Sequence, residues 1–215
     1  MSKAVVFDMD GVLFDSERLC MDSWCAVARK HDIPNMETVF PKCIGTNMAD
    51  TRTIVHDHYG EDFDFDSFRK EASGWFWNYI ECNGMPVKKG VRELLDSLKD
   101  LDYNLGLASS SRRETIMKSL EKAGLLEYFP VIVSGDMVEH SKPDPQIFLI
   151  ACERMGVQPG ETYVIEDSYN GIRAAVAAGM RPIMVPDMLP VNEEMECICP
   201  IILEDLLKVR DFLAK

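Results

Sequence analysis

The chain has 215 residues, 47% of them hydrophobic, which is enough to bury a full core, and its net charge of -13 argues against a nucleic-acid backbone as its main partner. Seven scattered cysteines with no Cys-x-x-Cys pair favour free thiols in a reducing cytoplasm over a disulfide or zinc framework. No apolar run approaches membrane-spanning length, and Asp8 and Asp10 interrupt any leader-like start, so no membrane partner is expected.

The first predicted element is a strand at residues 3–7. Its unbroken apolar run fits a strand buried on both faces, as in the middle of a parallel sheet. It ends in Asp8-Met9-Asp10-Gly11, with Met9 expected to pack inward. Open α/β sheets bind their ligands at the carboxyl ends of such strands. Asp15 or Ser16 is then placed to cap a helix reaching about residue 31, with Leu19, Trp24, Val27 and Ala28 among its apolar positions. The pattern stays helical and aromatic to about Gly84, with helices at 51–59 and 65–83 and no strand. Residues 43–50 read as a loop and a helix start. Pro86 and Gly90 punctuate the chain. This block interrupts an α/β pattern, so it reads as a helical cap of residues 15–85 inserted into a core made of 1–14 and 86–215.

The α/β pattern resumes with a helix at 91–101 and a strand at 104–108, ending in Ser109-Ser110-Ser111. Ser111 and Glu114 match a capping box for a helix to about Ala123, with Gly124 as its C-cap. A third strand is predicted at 131–133. The loop Lys142-Pro143-Asp144-Pro145 leads to a helix ending near Met155. A fourth strand at 162–165 ends in Glu166-Asp167, and a helix at 168–178 follows. Strands at 182–185 and 201–203 precede a closing helix. Cys197 and Cys199 alternate as strand residues would, and the acidic run 193–196 reads as a solvated loop. The fold class is therefore α/β, a Rossmann-like parallel sheet with right-handed crossovers.

Four polar clusters fall at strand or loop ends: Asp8/Asp10, Ser109/Ser110, Lys142 and Glu166/Asp167. Singly, each has a plain reading. Either aspartate would make an Asx-turn, the serines a turn and an N-cap, Lys142 a solvated loop, and Glu166-Asp167 the lead into a helix. Together and in this order they are what phosphoryl transfer needs. Phosphate oxygens repel an anionic nucleophile, and a divalent cation between them removes much of that repulsion. Oxygen ligands suit Mg²⁺, here the Asp8 and Asp167 side chains and the Asp10 carbonyl. A serine hydroxyl and free N–H groups after the second strand hold phosphate oxygens, and Lys142 adds a fixed positive charge. Asp8 would attack phosphorus, and Asp10 would protonate the departing alcohol and later take a proton from water.

The segments Asp8-Met-Asp-Gly-Val-Leu-Phe-Asp-Ser-Glu17, Ala108-Ser-Ser110, Lys142-Pro-Asp-Pro145 and Ile165-Glu-Asp-Ser-Tyr-Asn-Gly171 resemble the four motifs of the haloacid dehalogenase superfamily. The resemblance spans nearly the whole chain. It points to the branch with a helical cap after the first strand, which includes β-phosphoglucomutases and sugar-phosphate phosphatases. It implies Asp8 as nucleophile, Asp10 as general acid and base, and Ser109, Ser110 and Lys142 as phosphate contacts. It also implies Mg²⁺ held by Asp8, Asp10 and Asp167, with Glu166 a further ligand or a group behind them. The founding dehalogenases lack an aspartate at the Asp10 position and need no metal, so phosphate esters are the expected substrates. A Schiff-base lysine, as in phosphonoacetaldehyde hydrolases, has only Lys30, Lys42 and Lys70 as candidates, none with a supporting pattern.

Resembling mutases carry a cap histidine where this chain has Cys20, and a cap-loop arginine where residues 45–48 supply no basic residue before Arg52. Near the position of a further cap lysine expected of such mutases, Trp75 and Trp77 stand instead. These departures favour hydrolysis of a small phosphorylated metabolite whose leaving group is less charged, stacked on Trp75 or Trp77 unless these belong to the cap's core. Only Arg52 or Lys70 would then anchor a second phosphate. A β-phosphoglucomutase-type isomerase and a non-catalytic metabolite-binding protein are the alternatives. His56 and His58 are two apart, so they share no helical face and read as solvated; His140 reads as a surface residue. The cap should hinge near residues 14–16 and 85–89, and a monomer fits a capped domain of this size.

Overall fold

The computed structural model describes residues 3–44, 46 and 48–215; Gly45 and Asn47, in the predicted loop 43–50, lie outside the described residues. Strand β1 (Ala4–Phe7) pairs in parallel with β2 (Asn104–Ser109) on one side and β4 (Thr162–Glu166) on the other. β3 (Val131–Ser134), β5 (Arg181–Met184) and β6 (Ile201–Ile202) complete a parallel sheet of order β3-β2-β1-β4-β5-β6. The chain changes direction across the sheet at β1, which opens a crevice at the carboxyl edge there.

The apolar run of β1 is explained by what covers its faces. Val5 and Phe7 join Leu94, Leu98, Ile116, Leu120 and Val209 from α5 (Val91–Asp100), α6 (Arg113–Ala123) and α10 (Leu206–Leu213). Ala4 and Val6 join Ile147, Phe148, Ala151, Ala174 and Ala175 from α7 (Gln146–Met155) and α8 (Tyr169–Ala177). Burying a Val or Phe side chain contributes about 1.5–3 kcal/mol, so neither face tolerates a polar residue.

Between β1 and α5 the chain forms a helical cap: α1 (Ser16–Lys30), α2 (Met36–Val39), α3 (Met48–Tyr59) and α4 (Phe65–Asn83). Its centre is Trp24, whose ring meets Phe40, Phe65 and Phe68 edge-on at 5.2, 5.9 and 5.4 Å between centroids. Such edge-to-face pairs are favoured by the aromatic quadrupole. Val27, Met36, Val39 and Val55 fill the remainder of that separate cluster. The two chain crossings between cap and sheet lie side by side. The Asp15 N–H donates to the Pro86 carbonyl and the Lys88 N–H to the Leu13 carbonyl, both at 2.9 Å, and Phe14 bridges Val87.

Several local expectations are corrected. Asp15 holds the N-cap position of α1 without a side-chain cap bond, and Ser16 turns to Asp10 instead. The capping box at Ser111 does not form, because α6 begins after Arg112, whose side chain caps nothing. The acidic run 193–196 belongs to a helix, α9 (Glu193–Ile198), because Asn192 caps the Met195 N–H at 2.9 Å and Met195 is buried. Cys197 is therefore an exposed helical residue, while Cys199 just beyond the helix is buried. His56 is half-buried, with Nε2 at 3.2 Å from the Phe63 carbonyl, whereas His58 and His140 are exposed. Met9 packs inward as expected. All seven cysteines are free thiols. No described helix is long and apolar enough to cross a membrane.

Candidate active site

The Asp8 N–H still donates to the Ile165 carbonyl, at 3.0 Å, and the chain leaves the sheet immediately afterwards. The Leu13 and Phe14 N–H groups return to the Met9 carbonyl, and the Gly11 N–H reaches the Phe14 carbonyl, which closes a tight turn. Gly11 has φ +77°, and a Cβ on it would lie 2.1 Å from Asp167 Oδ2. Backbone conformation and the neighbouring carboxylate both require glycine there. The turn sets Asp8 and Asp10 above the sheet's carboxyl edge.

Lys142 Nζ lies 2.5 Å from Asp8 Oδ1 and 2.6 Å from Glu166 Oε1, with all three side chains almost fully buried. Burial raises the Asp8 pKa to about 8 against the pull of Lys142. Burial also works against the lysine's charge, but Asp8 and Glu166 outweigh it and hold the Lys142 pKa above its ordinary value. The Glu166 carboxylate is fully engaged. Its Oε2 accepts from the Asp167 and Ser168 N–H groups and from Ser168 Oγ, at 3.0, 3.0 and 2.9 Å. A Cβ on Gly171 would sit 1.8 Å from Glu166 Oε1, so the first turn of α8 is pressed against it. An acid at a helix N-terminus is favoured by the exposed N–H groups.

Asp10 faces hydroxyls. Ser16 Oγ donates to its Oδ1 at 2.7 Å, and Ser111 Oγ and Ser109 Oγ donate to Oδ2 at 2.9 and 3.4 Å. Ser109 Oγ in turn accepts from the Ser111 N–H at 3.1 Å. Ser110 stands exposed on the cleft wall. A cap and a carboxylate partner call for the same residue types, so the sequence alone points Ser16 and Ser111 toward caps.

Carboxylate oxygens lie within 4.8 Å of one another in two groups that share Asp167: Asp8, Glu166 and Asp167, and Glu17, Asp167 and Asp187. Glu17 Oε2 and Asp187 Oδ2 are buried with no hydrogen-bond partner. Burial, with Asp10 and Asp187 adding to it, raises the Glu17 pKa to about 8. Burial likewise raises the Asp167 pKa, with Glu166, Glu17, Asp8 and Asp187 adding to it. Such crowded oxygen-only anions with orphaned atoms fit a hard divalent cation such as Mg²⁺, which would lower every one of these pKa values. The Asp10 carboxylate stands outside both groups.

A cleft of about 600 Å³ runs between this edge and the cap. Asp8, Asp10, Ser109, Ser110, Lys142, Glu166 and Asp167 all line it. From the cap come Trp24, Phe40, Ile44, Met48 and Arg69. The other tryptophans do not face it. Trp75 stacks on Tyr79 at 5.7 Å and is exposed, and Trp77 lies beneath Lys118, whose Nζ is 3.9 Å from its ring centre. Arg52 pairs with Asp66 at 2.5 Å, and Lys70 is exposed. Arg69, the cap cation that does face the cleft, sits four residues after buried Phe65, at the edge of the helix's buried face. That spacing is the only trace of it in the sequence.

The family described as haloacid dehalogenase-like hydrolase matches residues 5–185. The phosphorylated carbohydrates phosphatase of Thermotoga maritima is 34% identical over 185 residues, covering 84% of this chain and 83% of that protein. The beta-phosphoglucomutase of Bacillus subtilis is 29% identical over 184 residues, covering 83% of this chain and 80% of that protein. The fold matches the crystal structure of CbbY from Rhodobacter sphaeroides in complex with phosphate, with a TM-score of 0.80, 23% identity, and 97% of this chain and 96% of that one covered.

Proposed function

Because the chain belongs to the haloacid dehalogenase-like hydrolase family, we propose that it is a Mg²⁺-dependent phosphatase of a small organic phosphate monoester, a sugar phosphate or related metabolite. The observation that carries this reading is the Asp8–Lys142–Glu166 contact in the cleft that Asp167, Ser109 and Ser110 also line. An Asp8 carboxylate oxygen attacks phosphorus and the ester P–O bond breaks, leaving an aspartyl-phosphate. The leaving alkoxide takes a proton from the Asp10 carboxyl. Asp10 then takes a proton from water as that water attacks phosphorus, which releases phosphate and restores both aspartates. Ser16, Ser109 and Ser111 orient Asp10, and Lys142 with the Ser109–Ser110 segment holds phosphate oxygens. Asp8, Asp167 and the Asp10 carbonyl would hold Mg²⁺, with Glu166 behind them; when bound, the ion would offset repulsion between Asp8 and the phosphate.

The division into a cap of residues 15–85 and a core of 1–14 and 86–215 belongs to the same reading. The cap's separate Trp24 cluster and the adjacent crossings support it. Free thiols throughout support a reducing compartment such as the cytoplasm. Phosphate release from a panel of phosphorylated metabolites with Mg²⁺ tests the function. Release by the unaltered chain and none by Asp8→Asn is the expected result; retained turnover in Asp8→Asn rules that residue out as nucleophile. An isomerase of the β-phosphoglucomutase type is the second reading, favoured by one observation, the cations Arg69 and Arg112 in the cleft. Rapid conversion of β-glucose 1-phosphate to glucose 6-phosphate with a bisphosphate primer, with little free phosphate, would establish it instead.

A further inference from the structure

The cap's side of the cleft carries two charged side chains, Glu17 and Arg69. Glu17 turns toward Asp167 and Asp187. Arg69 has no counterpart: among the described residues its guanidinium forms no ion pair, and its one hydrogen-bond partner is the Met48 sulfur at 2.8 Å. A guanidinium offers five N–H donors, and a thioether is a weak acceptor, so most of those donors go unmet by the protein. The cap wall of the cleft carries Phe40, Ile44 and Met48 beside the mutually bonded hydroxyls of Thr46 and Thr51, and an ion pair is stronger in largely apolar surroundings than in water.

Two other cations nearby are answered: Lys142 has Asp8 and Glu166, and Arg52 has Asp66. Arg112 also lines the cleft but stands on the sheet side, at the N-cap of α6. On the cap wall the unmet charge is therefore confined to Arg69, across the cleft from the wall that holds Asp8. We infer that the leaving group of the substrate carries a second oxyanion, a carboxylate or a second phosphoryl group, and that Arg69 receives it in its planar fork. Arg69 is then a specificity-determining residue of the phosphatase reading above, on which this inference rests. The expectation of a less charged leaving group stacked on Trp75 or Trp77 is reversed with it, since neither ring reaches the cleft.

The test compares the unaltered chain with Arg69→Met and Arg69→Lys, all with Mg²⁺, by phosphate release from three substrates. These are a sugar monophosphate with a neutral leaving group, a phosphorylated hydroxy acid and a sugar bisphosphate. The quantity read is the ratio of kcat/KM for each acid-bearing substrate to that for the neutral one, which cancels any loss of folded protein. Arg69→Met should lower the ratio for the preferred acid ~10- to 100-fold, mainly through KM, and Arg69→Lys should restore part of it. Which acid loses more tells a carboxylate from a second phosphate. A ratio that stays the same in Arg69→Met sinks this inference and leaves the phosphatase reading standing. Absence of phosphate release by the unaltered chain from all three substrates counts against both.

Discussion

The two walls of the cleft are built by different means. On the sheet side, Phe7 is level with Leu107 and Ile165, so Asp8, Ala108 and Glu166 stand at one level of the carboxyl edge and Ser109 and Asp167 one step further along. Backbone pairing alone brings those groups together. On the cap side, Trp24, Phe40 and Arg69 come from three separate helical segments and are positioned by rings packed against one another. A hydrogen-bonded ladder cannot shift by part of a residue, whereas a packed cluster tolerates volume-conserving exchange without losing the fold. In the proposed reading, the chemistry stands on the stiff wall and selectivity on the adaptable one.

Substitutions can break that contrast. The largest effect is expected from Asp8→Asn, a loss of about 10⁴-fold or more in kcat with every substrate and no change in circular dichroism. Gly11→Ala should come next. It places a side chain at positive φ, costing ~1–2 kcal/mol, and drives a methyl group into Asp167. A lower Tm and weaker Mg²⁺ binding by calorimetry would bear that out, and an unaltered Mg²⁺ affinity would contradict it. Ser111→Ala removes one of three hydroxyls on Asp10 and should cost about tenfold in kcat, with KM little changed. If Ser111 served only as a helix cap, Tm would fall and kcat would not.

Ion binding sharpens the contrast from the sheet side. Carboxylates whose pKa is raised on folding bind protons more tightly in the folded chain than in the unfolded one. Stability of the metal-free protein should therefore fall as pH rises from about 4 to about 8. The Tm gain on adding Mg²⁺ should be larger near the top of that window than near its foot, and EDTA should reverse it. The smallest effect is expected from Arg52→Ala. Its pairing with Asp66 is exposed, so activity and selectivity should stay within about twofold, in contrast to Arg69.

The same division governs what was legible in the sequence. β1 and the clusters at Asp8, Ser109, Lys142 and Glu166 could be read because an apolar run ends where its strand ends, and parallel neighbours then share one edge. Ser16 and Ser111 were visible but assigned to caps, since only the turn at Gly11 brings Asp10 within their reach. Arg69 was hidden among helix-surface residues, because its direction depends on how α4 packs against Trp24. Trp75 and Trp77 misled for the converse reason, being large rings on faces of α4 that turn away from the cleft. The helix at 193–198 was missed because its acidic composition outweighed the Asn192 cap.

The paired crossings at Leu13–Asp15 and Pro86–Lys88 limit how the helical half can travel. Two strips of backbone bonded to each other bend and twist as one tether, so neither can lengthen while the other stays fixed. The permitted motion is a swing about that tether. The gap must then widen most on the side farthest from it, and a molecule arriving between the walls has one flank by which to come and go.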